Sequence, residues 1–563
     1  MIRMAMTTQA KKRILIVGGV AGGASAAARA RRLSEDADIV LFERGRHVSF
    51  ANCGMPYYIG GAILDRDRLL VQTADGLKAR YGIEVRVQTE VLRVDRARKL
   101  LVVRGPDGAE KSETYDALIL SPGAQAIRPP LPGGAHPRVF TLRSLADMDA
   151  IKTAVDGLKG CRALIMGGGY IGLEMAEAFR ARGLEVTLVE LSGQVFAPAD
   201  PEMVAPVHRR LRDNGVDLRL GVSVTSLSQA DNGLKAALST GDELDCALAL
   251  QAIGLRPETA LAREAGLALG PSGGIAVDAH MRTSDPSIYA VGDAVEVSEF
   301  VTGNKALIPL AGPASRQGRI AADNALGRDS SYRGTQGTAI CKVFDLAVGV
   351  TGLNEKTLKR LGRAYEKVHI HPTHHAGYYP GAAQMSLKIL FDPKDGLLLG
   401  AQAVGLEGVD KRLDVLAVAL RAKMTVRDLR DLELCYAPPY GSAKDPVNCA
   451  GFAATNALEG DVRLWHAETL PPRPDQVLLD ARTAGEFAAG SIPGALNVPV
   501  DDLRARLGDL PKDRELLVFC QVGLRGYLAC LILSQNGFVC RNLSGGYQTY
   551  QATVSSPAAS ERR

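Results

Sequence analysis

Short runs of continuous apolar residues, each followed by a glycine-rich turn and a small-residue helical stretch, recur in the first half of the chain. The first run, Arg13 to Val17, precedes such a turn, and a helix is predicted over Ala24 to Leu33. A second apolar run, Ile39 to Glu43, ends in a carboxylate. Continuous apolar runs of this length are typical of parallel strands buried on both faces. The pattern therefore predicts an α/β fold built on a parallel sheet.

This strand, turn, helix and strand have the order of a dinucleotide-binding unit. Glycines let the backbone approach a pyrophosphate, the helix N-terminus favours an anion, and the acid accepts a hydrogen bond from a ribose hydroxyl. Val20 stands where the middle glycine of the usual pattern would lie. The residues predicted to bind this nucleotide are Gly18, Gly19, Val20, Ala21, Gly22, Gly23, Glu43 and Arg44.

The same pattern returns after residue 160, where Ala163 to Met166 leads into a complete G-x-G-x-x-G turn. Two such units predict two nucleotides, and the simplest pair is FAD and a nicotinamide. Glu190, at the end of the next strand, favours NADH because a carboxylate would repel the 2′-phosphate of NADPH. Nearby arginines leave NADPH open. The candidate residues at this second site are Gly167, Gly169, Tyr170, Ile171, Gly172, Glu190 and Gly254.

Two further strand ends supply candidate contacts to the flavin. One apolar run leads into Ser121-Pro122-Gly123, and another ends in Gly292-Asp293. The Asp293 carboxylate would accept from a ribitol hydroxyl. We therefore predict a Rossmann-like FAD domain over 1–149 and 273–333, with a Rossmann-like NAD(P)H domain over 150–272 inserted into it.

From residue 334 the pattern changes to separate strands and loops, followed by a helix. This change predicts an α+β dimerisation domain over 334–458. A proline-containing stretch over 459–474 is predicted to be a linker, because prolines interrupt regular structure. A final α/β domain is predicted over 475–554, followed by a frayed tail over 555–563.

Composition narrows the possible functions. The 563 residues carry a net charge of +5, and no basic run contains interleaved aromatic residues, so nucleic acid is not an expected partner. The sequence contains no run of about 18 apolar residues, so no membrane span is predicted. Met1 to Lys12 lacks the apolar core of a secretory signal. The nine cysteines show no zinc-like spacing, so we predict no metal site and a reducing, cytoplasmic environment.

Two of the cysteines have unusual neighbours. Cys53 lies in the stretch Ser49 to Tyr58, at the start of a possible helix whose N-terminus would favour a thiolate. Cys520 opens a loop that reaches Gly526, where backbone N–H groups and Arg525 would stabilise a thiolate or an anionic persulfide. The competing interpretation of each is a buried structural cysteine.

The first 460 or so residues resemble the FAD- and NAD(P)H-dependent disulfide reductases, and among them the coenzyme A disulfide reductases most. The last hundred residues resemble a rhodanese domain. The matching motifs are Ser49-Phe50-Ala51-Asn52-Cys53-Gly54, Tyr378-Tyr379-Pro380-Gly381, Tyr436-Ala437-Pro438-Pro439-Tyr440 with Lys444-Asp445, Asp480-x-Arg482, Glu486-Phe487, and Cys520 to Gly526. The combination resembles fusions of the two, also described as NADH-dependent persulfide reductases.

The resemblance implies a homodimeric flavoenzyme that reduces coenzyme A persulfide, polysulfide or coenzyme A disulfide with NAD(P)H. It implies that Cys53 is the redox-active nucleophile and that Cys520 carries sulfane sulfur. Tyr378 and Tyr436, supplied by the partner subunit, would donate protons to the leaving thiolate. The implied contacts to substrate are Ser25, Arg29, Arg32, Ser49, Asn52, Tyr440, Lys444 and Arg525. Asn52 is also an expected contact to the flavin.

One absence restricts the chemistry. Glutathione-reductase relatives carry a second cysteine shortly after the first, whereas Pro56, Tyr57 and Tyr58 follow Cys53 closely here. The other partner must therefore be a substrate thiol or a sulfenate. Two alternatives stay open: an NADH oxidase or peroxidase that cycles Cys53 through sulfenic acid, and a persulfide carrier or redox sensor that does not turn over.

Overall fold

The computed structural model describes residues 11–554, so the predicted tail over 555–563 and most of the N-terminal segment lie outside the described residues. The chain forms two compact units. One contains residues up to 159 together with 250–337, and the other contains 160–249 and the residues from 338 onward. Among the described residues, no helix combines the length and the apolar character needed to cross a bilayer.

A five-stranded parallel sheet forms the centre of the first unit. In order across the sheet, its strands are Ile288–Ala290, Ala117–Leu120, Arg13–Val17, Asp38–Phe42 and Glu84–Arg86. The helices Ala21–Leu33 and Ala311–Ala325 pack together so closely that a Cβ added at Gly318 would lie 2.2 Å from Gly22 O. The sheet core is fully buried, as the continuous apolar runs predict.

Further elements of the first unit surround this sheet. An antiparallel sheet contains Glu90–Asp95, Leu100–Arg104 and Glu110–Thr114. The smaller strands are Ala124–Ala126 paired with Leu255–Pro257, and Ile275–Ala276, Val295–Ser298 and Lys305–Ala306. The other helices are Met55–Gly60, Ala74–Tyr81, Leu145–Val155 and Ala260–Glu264.

The second unit begins with another parallel set of strands. These are Arg162–Met166, Glu185–Glu190 and Val216–Leu220, with the helices Tyr170–Ala181 and Pro201–Asp213. An antiparallel sheet follows, made of Val224–Ala230, Gly233–Leu238 and Glu243–Cys246. The repeat of strand, glycine turn and helix predicted from the sequence is therefore present in both units.

The second unit also contains an antiparallel five-stranded sheet. Its strands, in order, are Ala339–Val343, Leu346–Gly352, Leu398–Gly405, Met385–Phe391 and Glu366–Ile370. Its helices are Glu355–Arg360, Val409–Arg421, Val426–Asp431 and Pro446–Leu458. The strands Ala339–Val343 and Leu346–Gly352 are separated by a turn at Phe344, which has a φ of +57°.

The last domain is a five-stranded parallel sheet. Its strands are Leu464–Trp465, Cys540–Leu543, Glu515–Phe519, Gln476–Asp480 and Leu496–Asn497, and its helices are Ala484–Ala488, Leu524–Gln535 and Gly546–Val554. The strand Leu464–Trp465 lies inside the stretch predicted as a linker. The sequence did not reveal it because its pairing partner, Asn542–Leu543, is far along the chain and no local pattern marks it. The predicted fold class, two nucleotide-binding domains with an α+β and a C-terminal α/β domain, is confirmed.

Candidate active site

The backbone around Cys53 follows a tight path. Asn52–Gly54 forms a turn of 3-10 helix, and Met55–Gly60 continues it as a short α-helix. Ser49 has a φ of +48°, and its N–H donates to Gly19 O at 2.7 Å. Cys53 itself is exposed. The segment is therefore attached to the first glycine turn and carries an accessible sulfur.

Glu43 holds the first glycine turn in place. Its Oε2 accepts from the Gly19 N–H at 2.9 Å, and its Oε1 accepts from the Gly45 N–H at 2.7 Å. Gly18 has a φ of +91°, and a Cβ added there would lie 2.0 Å from Ser121 O. Only glycine fits this close approach of two strand ends. The Glu43 carboxylate therefore stabilises the glycine turn, in addition to the hydrogen bond to a ribose hydroxyl that is predicted for it.

Arg143, which the sequence interpretation missed, joins several predicted flavin contacts. With the Asn52 amide oriented to satisfy both its partners, the Arg143 Nη1 donates to Asn52 at 2.6 Å. The Arg143 Nε donates to Ala124 O at 2.7 Å, and a Cβ at Gly123 would lie 2.7 Å from Nη2. Burial raises the pKa of Asp293, and the Arg143 charge opposes that rise. A cation therefore lies beside the Cys53 turn, at a position that no motif marks.

The residues of the first unit fit FAD. Added Cβ atoms at Gly18, Gly19 and Gly22 would lie 2.0, 2.7 and 2.8 Å from atoms of Ser121 and Val48, so these three positions have to be glycine. A glycine turn of this kind before a helix N-terminus is what a dinucleotide-binding unit requires. The carboxylates of Glu43 and the half-buried Asp293 follow strand ends, where they are suited to accept hydrogen bonds from sugar and ribitol hydroxyls.

The second glycine turn has the same construction. The Gly168 N–H donates to Glu190 Oε2 at 2.7 Å, and the N–H and hydroxyl of Ser192 both donate to Glu190 Oε1 at 2.8 Å. A Cβ added at Gly169 would meet nothing within 4 Å. The helix Tyr170–Ala181 therefore begins below open space, which fits a pyrophosphate at its N-terminus.

Two tyrosines 58 positions apart meet in the second unit. The hydroxyls of Tyr378 and Tyr436 lie 3.0 Å apart in a hydrogen bond. This bond is the main reason that the pKa of Tyr378 is raised. The side chains are 76% and 50% exposed, and that of nearby Tyr440 is exposed as well. These exposed tyrosines are accessible to a substrate or to a partner subunit.

The sulfur of Cys520 lies in a backbone cradle. Cys520 follows the strand Glu515–Phe519 and is 1% exposed. The Gly523 N–H donates to Cys520 Sγ at 3.1 Å, and Gly523, with a φ of +100°, precedes the helix Leu524–Gln535. The Tyr547 N–H donates to Cys520 O at 2.7 Å. A fixed backbone N–H that donates to a sulfur, as that of Gly523 does here, favours a thiolate or a persulfide anion.

Arg525 of the same loop is bound to a carboxylate. Its Nη1 and Nη2 donate to the two oxygens of Glu486 at 2.7 and 2.6 Å. These hydrogen bonds are the largest cause of the raised pKa of Arg525. The Glu486 charge and Cys520 raise it further by smaller amounts. The same bonds lower the pKa of Glu486 to about 2. The motif residue Glu486 thus acts on the Cys520 loop, a contact that sequence spacing did not indicate.

The other predicted site residues are dispersed over both units. Arg29 lies with Ser25 and an exposed Arg32 on the helix Ala21–Leu33, and its Nε donates to Asp323 Oδ1 of the helix Ala311–Ala325 at 2.7 Å. Arg44 lies 3.9 Å from Glu258 Oε2. Gly254 has a φ of +129°, and its carbonyl accepts from the Ile127 N–H at 3.0 Å. Lys444 directly precedes Asp445, which caps the helix Pro446–Leu458.

Comparison with protein families matches three models along the chain. Residues 12–318 match the pyridine nucleotide-disulphide oxidoreductase model, 338–445 match the dimerisation domain of that family, and 465–553 match the rhodanese-like domain. The chain belongs to the pyridine nucleotide-disulphide oxidoreductase family. The match to the rhodanese model begins inside the stretch predicted as a linker, as does the sheet of that domain.

Relatives of this pyridine nucleotide-disulphide oxidoreductase carry two kinds of name. A coenzyme A disulfide reductase of Staphylococcus haemolyticus is 35% identical over 445 residues, covering 79% of this chain and 99% of that protein. An NADH oxidase of Methanocaldococcus jannaschii is 34% identical over 454 residues, again covering 79% of this chain and 99% of that protein.

Two solved structures cover nearly the whole oxidoreductase chain. The reduced CoADR-RHD of Bacillus anthracis is 46% identical, with a TM-score of 0.94, and the match covers 97% of this chain and 99% of that one. An NAD-dependent persulfide reductase from A. fulgidus is 35% identical, with a TM-score of 0.89, and covers 96% and 100%. The resemblance drawn from the motifs is therefore confirmed.

Proposed function

We propose that this protein uses NAD(P)H to reduce coenzyme A persulfide, polysulfide or coenzyme A disulfide through a single redox-active cysteine, Cys53. The observation that carries the proposal is the attachment of the Cys53 segment to the first glycine turn, through the Ser49 N–H and Gly19 O. The names of the relatives and the rhodanese-like domain support the same sulfur chemistry.

The reaction of Cys53 with coenzyme A disulfide begins as thiol–disulfide exchange. The Cys53 thiolate attacks one sulfur, a bond forms between Cys53 and coenzyme A, and the other coenzyme A leaves as a thiolate. Two electrons and a proton then convert the mixed disulfide to the Cys53 thiolate and free coenzyme A thiol. Bound FAD would supply these electrons from NAD(P)H. Glu43, Asn52, Asp293 and the turn that begins at Gly18 would hold FAD, and Arg143 would position Asn52.

The nicotinamide nucleotide would bind at the second glycine turn, and we propose NADH as the preferred donor. Glu190 occupies the position that would face a 2′-phosphate, and its two oxygens already accept three hydrogen bonds from Gly168 and Ser192. Movement of the carboxylate away from a phosphate would break these bonds. NADPH is the weaker candidate for this reason.

The two tyrosines would assist the departure of coenzyme A. Their hydroxyls are already hydrogen-bonded to each other, so one can donate to a leaving thiolate while the other stabilises it. We propose that they act in a homodimer, each pair serving the partner subunit, consistent with the matched dimerisation domain.

Cys520 would carry sulfane sulfur as a persulfide and deliver it for reduction. The hydrogen bond that the Gly523 N–H donates to its sulfur suits a stabilised sulfur anion. The NADH oxidase relative favours a second candidate, in which Cys53 cycles through sulfenic acid with oxygen or peroxide as acceptor. The rhodanese-like domain has no role in that reaction.

Steady-state oxidation of NADH distinguishes these functions. We expect the rate with coenzyme A persulfide, or with polysulfide and coenzyme A, to exceed the rate with oxygen or peroxide by at least about tenfold, because the rhodanese-like domain and the names of the relatives favour a sulfur acceptor at Cys53. NADH should be used more efficiently than NADPH. A faster reaction with oxygen than with any sulfur acceptor would identify the oxidase instead.

Replacing Tyr378 by phenylalanine is expected to lower kcat for coenzyme A disulfide reduction by about 10²-fold, because a proton donor to the leaving thiolate is lost. Stopped-flow formation of free coenzyme A thiol measures this step. The matched control is Tyr379→Phe, since Tyr379 is the next residue and its ring packs against His375 at a centroid distance of 5.5 Å. Equal rates in the two variants would remove Tyr378 from the mechanism.

A further inference from the structure

Asn542 is a buried asparagine in the last sheet. It belongs to the strand Cys540–Leu543, which lies between the strands Leu464–Trp465 and Glu515–Phe519, and it is 6% exposed. Its main-chain N–H donates to Arg463 O at 2.8 Å. The main chain of Asn542 is thus bound to the chain that runs beside it, while its side chain is available for a contact outside the sheet.

The side-chain amide of Asn542 reaches the loop that carries Cys520. Asn542 Nδ2 donates to Gly523 O at 3.0 Å, and the Tyr527 N–H donates to the same carbonyl at 2.9 Å. Gly523 has a φ of +100° and a ψ of −26°, and its own N–H donates to Cys520 Sγ at 3.1 Å. Asn542 therefore holds the carbonyl of the residue whose N–H contacts the sulfur.

The oxygen of the same amide is left without a hydrogen bond. Asn542 Oδ1 is buried and accepts from no described residue, and an added Cβ at Gly526 would lie 2.3 Å from it. The opposite orientation of the amide would direct this oxygen at the Gly523 carbonyl, which is also an acceptor. A buried acceptor without a partner is unfavourable, and an apolar side chain of the same shape would avoid that cost. The amide is therefore explained by the donor that it supplies to Gly523 and not by the packing of the core.

We propose that Asn542 is a positioning residue for Cys520, because it fixes Gly523 so that the Gly523 N–H stays directed at the sulfur and favours its anionic form. A glycine has access to more backbone conformations than any other residue, so a bond to its carbonyl restricts where its N–H points. This inference rests on the proposed role of Cys520 as a sulfur carrier, since the attacking thiolate and the persulfide are both anions that need this donor.

The other groups that act on the Cys520 loop are held by partners of their own. The titratable and charged side chains there are Arg482, Asp480, Arg525, Glu486, Cys530 and Tyr547. Arg525 is bound by both oxygens of Glu486, and Arg482 is paired with Asp480. Asn542 takes no part in these bonds, so a substitution of Asn542 acts on the Gly523 donor and leaves both ion pairs in place.

The test measures the reactivity of the Cys520 thiol in the holoenzyme of Asn542→Leu, since leucine has a shape similar to that of asparagine but donates no hydrogen bond. Mass spectrometry of the Cys520 peptide follows its alkylation by iodoacetamide, which reacts with the thiolate. We expect alkylation at pH 7 to be about tenfold slower than in the wild type, because the thiolate is less favoured. At pH 10 the difference should fall below about threefold, because the thiol then ionises without the donor.

Two further variants separate positioning from packing. Asn542→Ala removes the same donor but leaves space where leucine fills it, so it should show the same dependence on pH. The matched control is Asn536→Leu, because Asn536 Nδ2 also donates to a main-chain carbonyl, that of Ile532 at 2.8 Å, but at the far end of the helix Leu524–Gln535. We expect its alkylation rate to stay within about twofold of the wild type at both pH values.

The outcomes separate the positioning role from the carrier role. If Asn542→Leu and Asn542→Ala are alkylated as fast as the wild type at pH 7, or if their slower alkylation persists unchanged at pH 10, Asn542 does not position the donor. The carrier role is tested by the gain of one sulfur atom at Cys520 from polysulfide, with Cys520→Ser as the blank. If the wild type gains no sulfur, the carrier role is wrong whatever the alkylation rates are. If it gains sulfur while the variants are alkylated normally, the positioning role alone is wrong.

Discussion

Replacing Cys53 by serine is expected to lower kcat/KM for both coenzyme A disulfide and coenzyme A persulfide by about 10⁴-fold or more, the usual scale for loss of a catalytic nucleophile. A serine hydroxyl does not ionise near neutral pH and cannot form the mixed disulfide. Tyr57 and Tyr58 offer no substitute sulfur. NADH oxidation and thiol release, measured together with the flavin absorbance, separate lost chemistry from lost cofactor.

The companion variant Cys520→Ser separates the reduction of coenzyme A disulfide from the release of sulfide from polysulfide. It should retain coenzyme A disulfide reduction within about twofold, because that substrate reacts at Cys53, and it should lose most sulfide release from polysulfide. If polysulfide reduction persists in Cys520→Ser, the two cysteines work independently and the proposed relay is wrong. If Cys53→Ser retains either activity, the assignment of Cys53 as nucleophile is wrong.

The parts of the structure that the sequence predicted well are those coded by neighbouring residues. A strand, a glycine turn and the acid that ends the next strand lie within about 30 positions, the length of one βαβ unit. Glu43 and Glu190 could thus be located by spacing, and both do contact their glycine turns. The loop after Cys520 could be predicted equally well, because Gly523 and the start of the helix Leu524–Gln535 lie directly after it in the sequence.

The parts that it missed depend on residues far apart in the chain. Arg143 reaches Asn52 from 91 positions away, and nothing around it distinguishes it from a surface arginine that follows a turn. Leu464–Trp465 has only two residues of strand, and its partner comes much later. Short local segments carry no information about such partners, so these contacts emerge only when the sheets are assembled.

A buried ion network is the largest of these unpredicted features. Lys388 is completely buried, and its ammonium donates to Asp200 Oδ2 at 2.8 Å as well as to Glu202 and Glu355. Burial is the largest influence on the Glu202 and Glu355 carboxyls and raises their pKa, but the Lys388 charge together with His369 at Glu202 and Lys367 at Glu355 outweighs it, and both pKa values lie below the ordinary value. Lys367 also binds Glu355, at 2.8 Å. The network joins the helix that begins at Pro201 to the antiparallel sheet of the second unit.

Replacing Lys388 by methionine is expected to lower the free energy of unfolding of the second unit by about 3–5 kcal/mol, because the buried carboxylates of Asp200 and Glu355 and the partly buried one of Glu202 lose their common cation. Urea unfolding followed by Trp465 fluorescence measures it, since this is the single tryptophan and it is buried in that unit. Carboxyls with lowered pKa values stabilise the fold above their ordinary value of 4.5 and lose that contribution as pH falls. The effect of Lys388→Met should therefore shrink below that pH.

The matched control is Lys342→Met, which removes a cation from an ion pair with Glu177 in the same unit. The Lys342 side chain is 53% exposed, so water can solvate the remaining carboxylate. We expect a loss below about 1 kcal/mol. Equal losses in the two variants would show that burial does not set the value of the Lys388 network. An unchanged stability in Lys388→Met would show instead that the carboxylates take up protons and tolerate the loss of their cation.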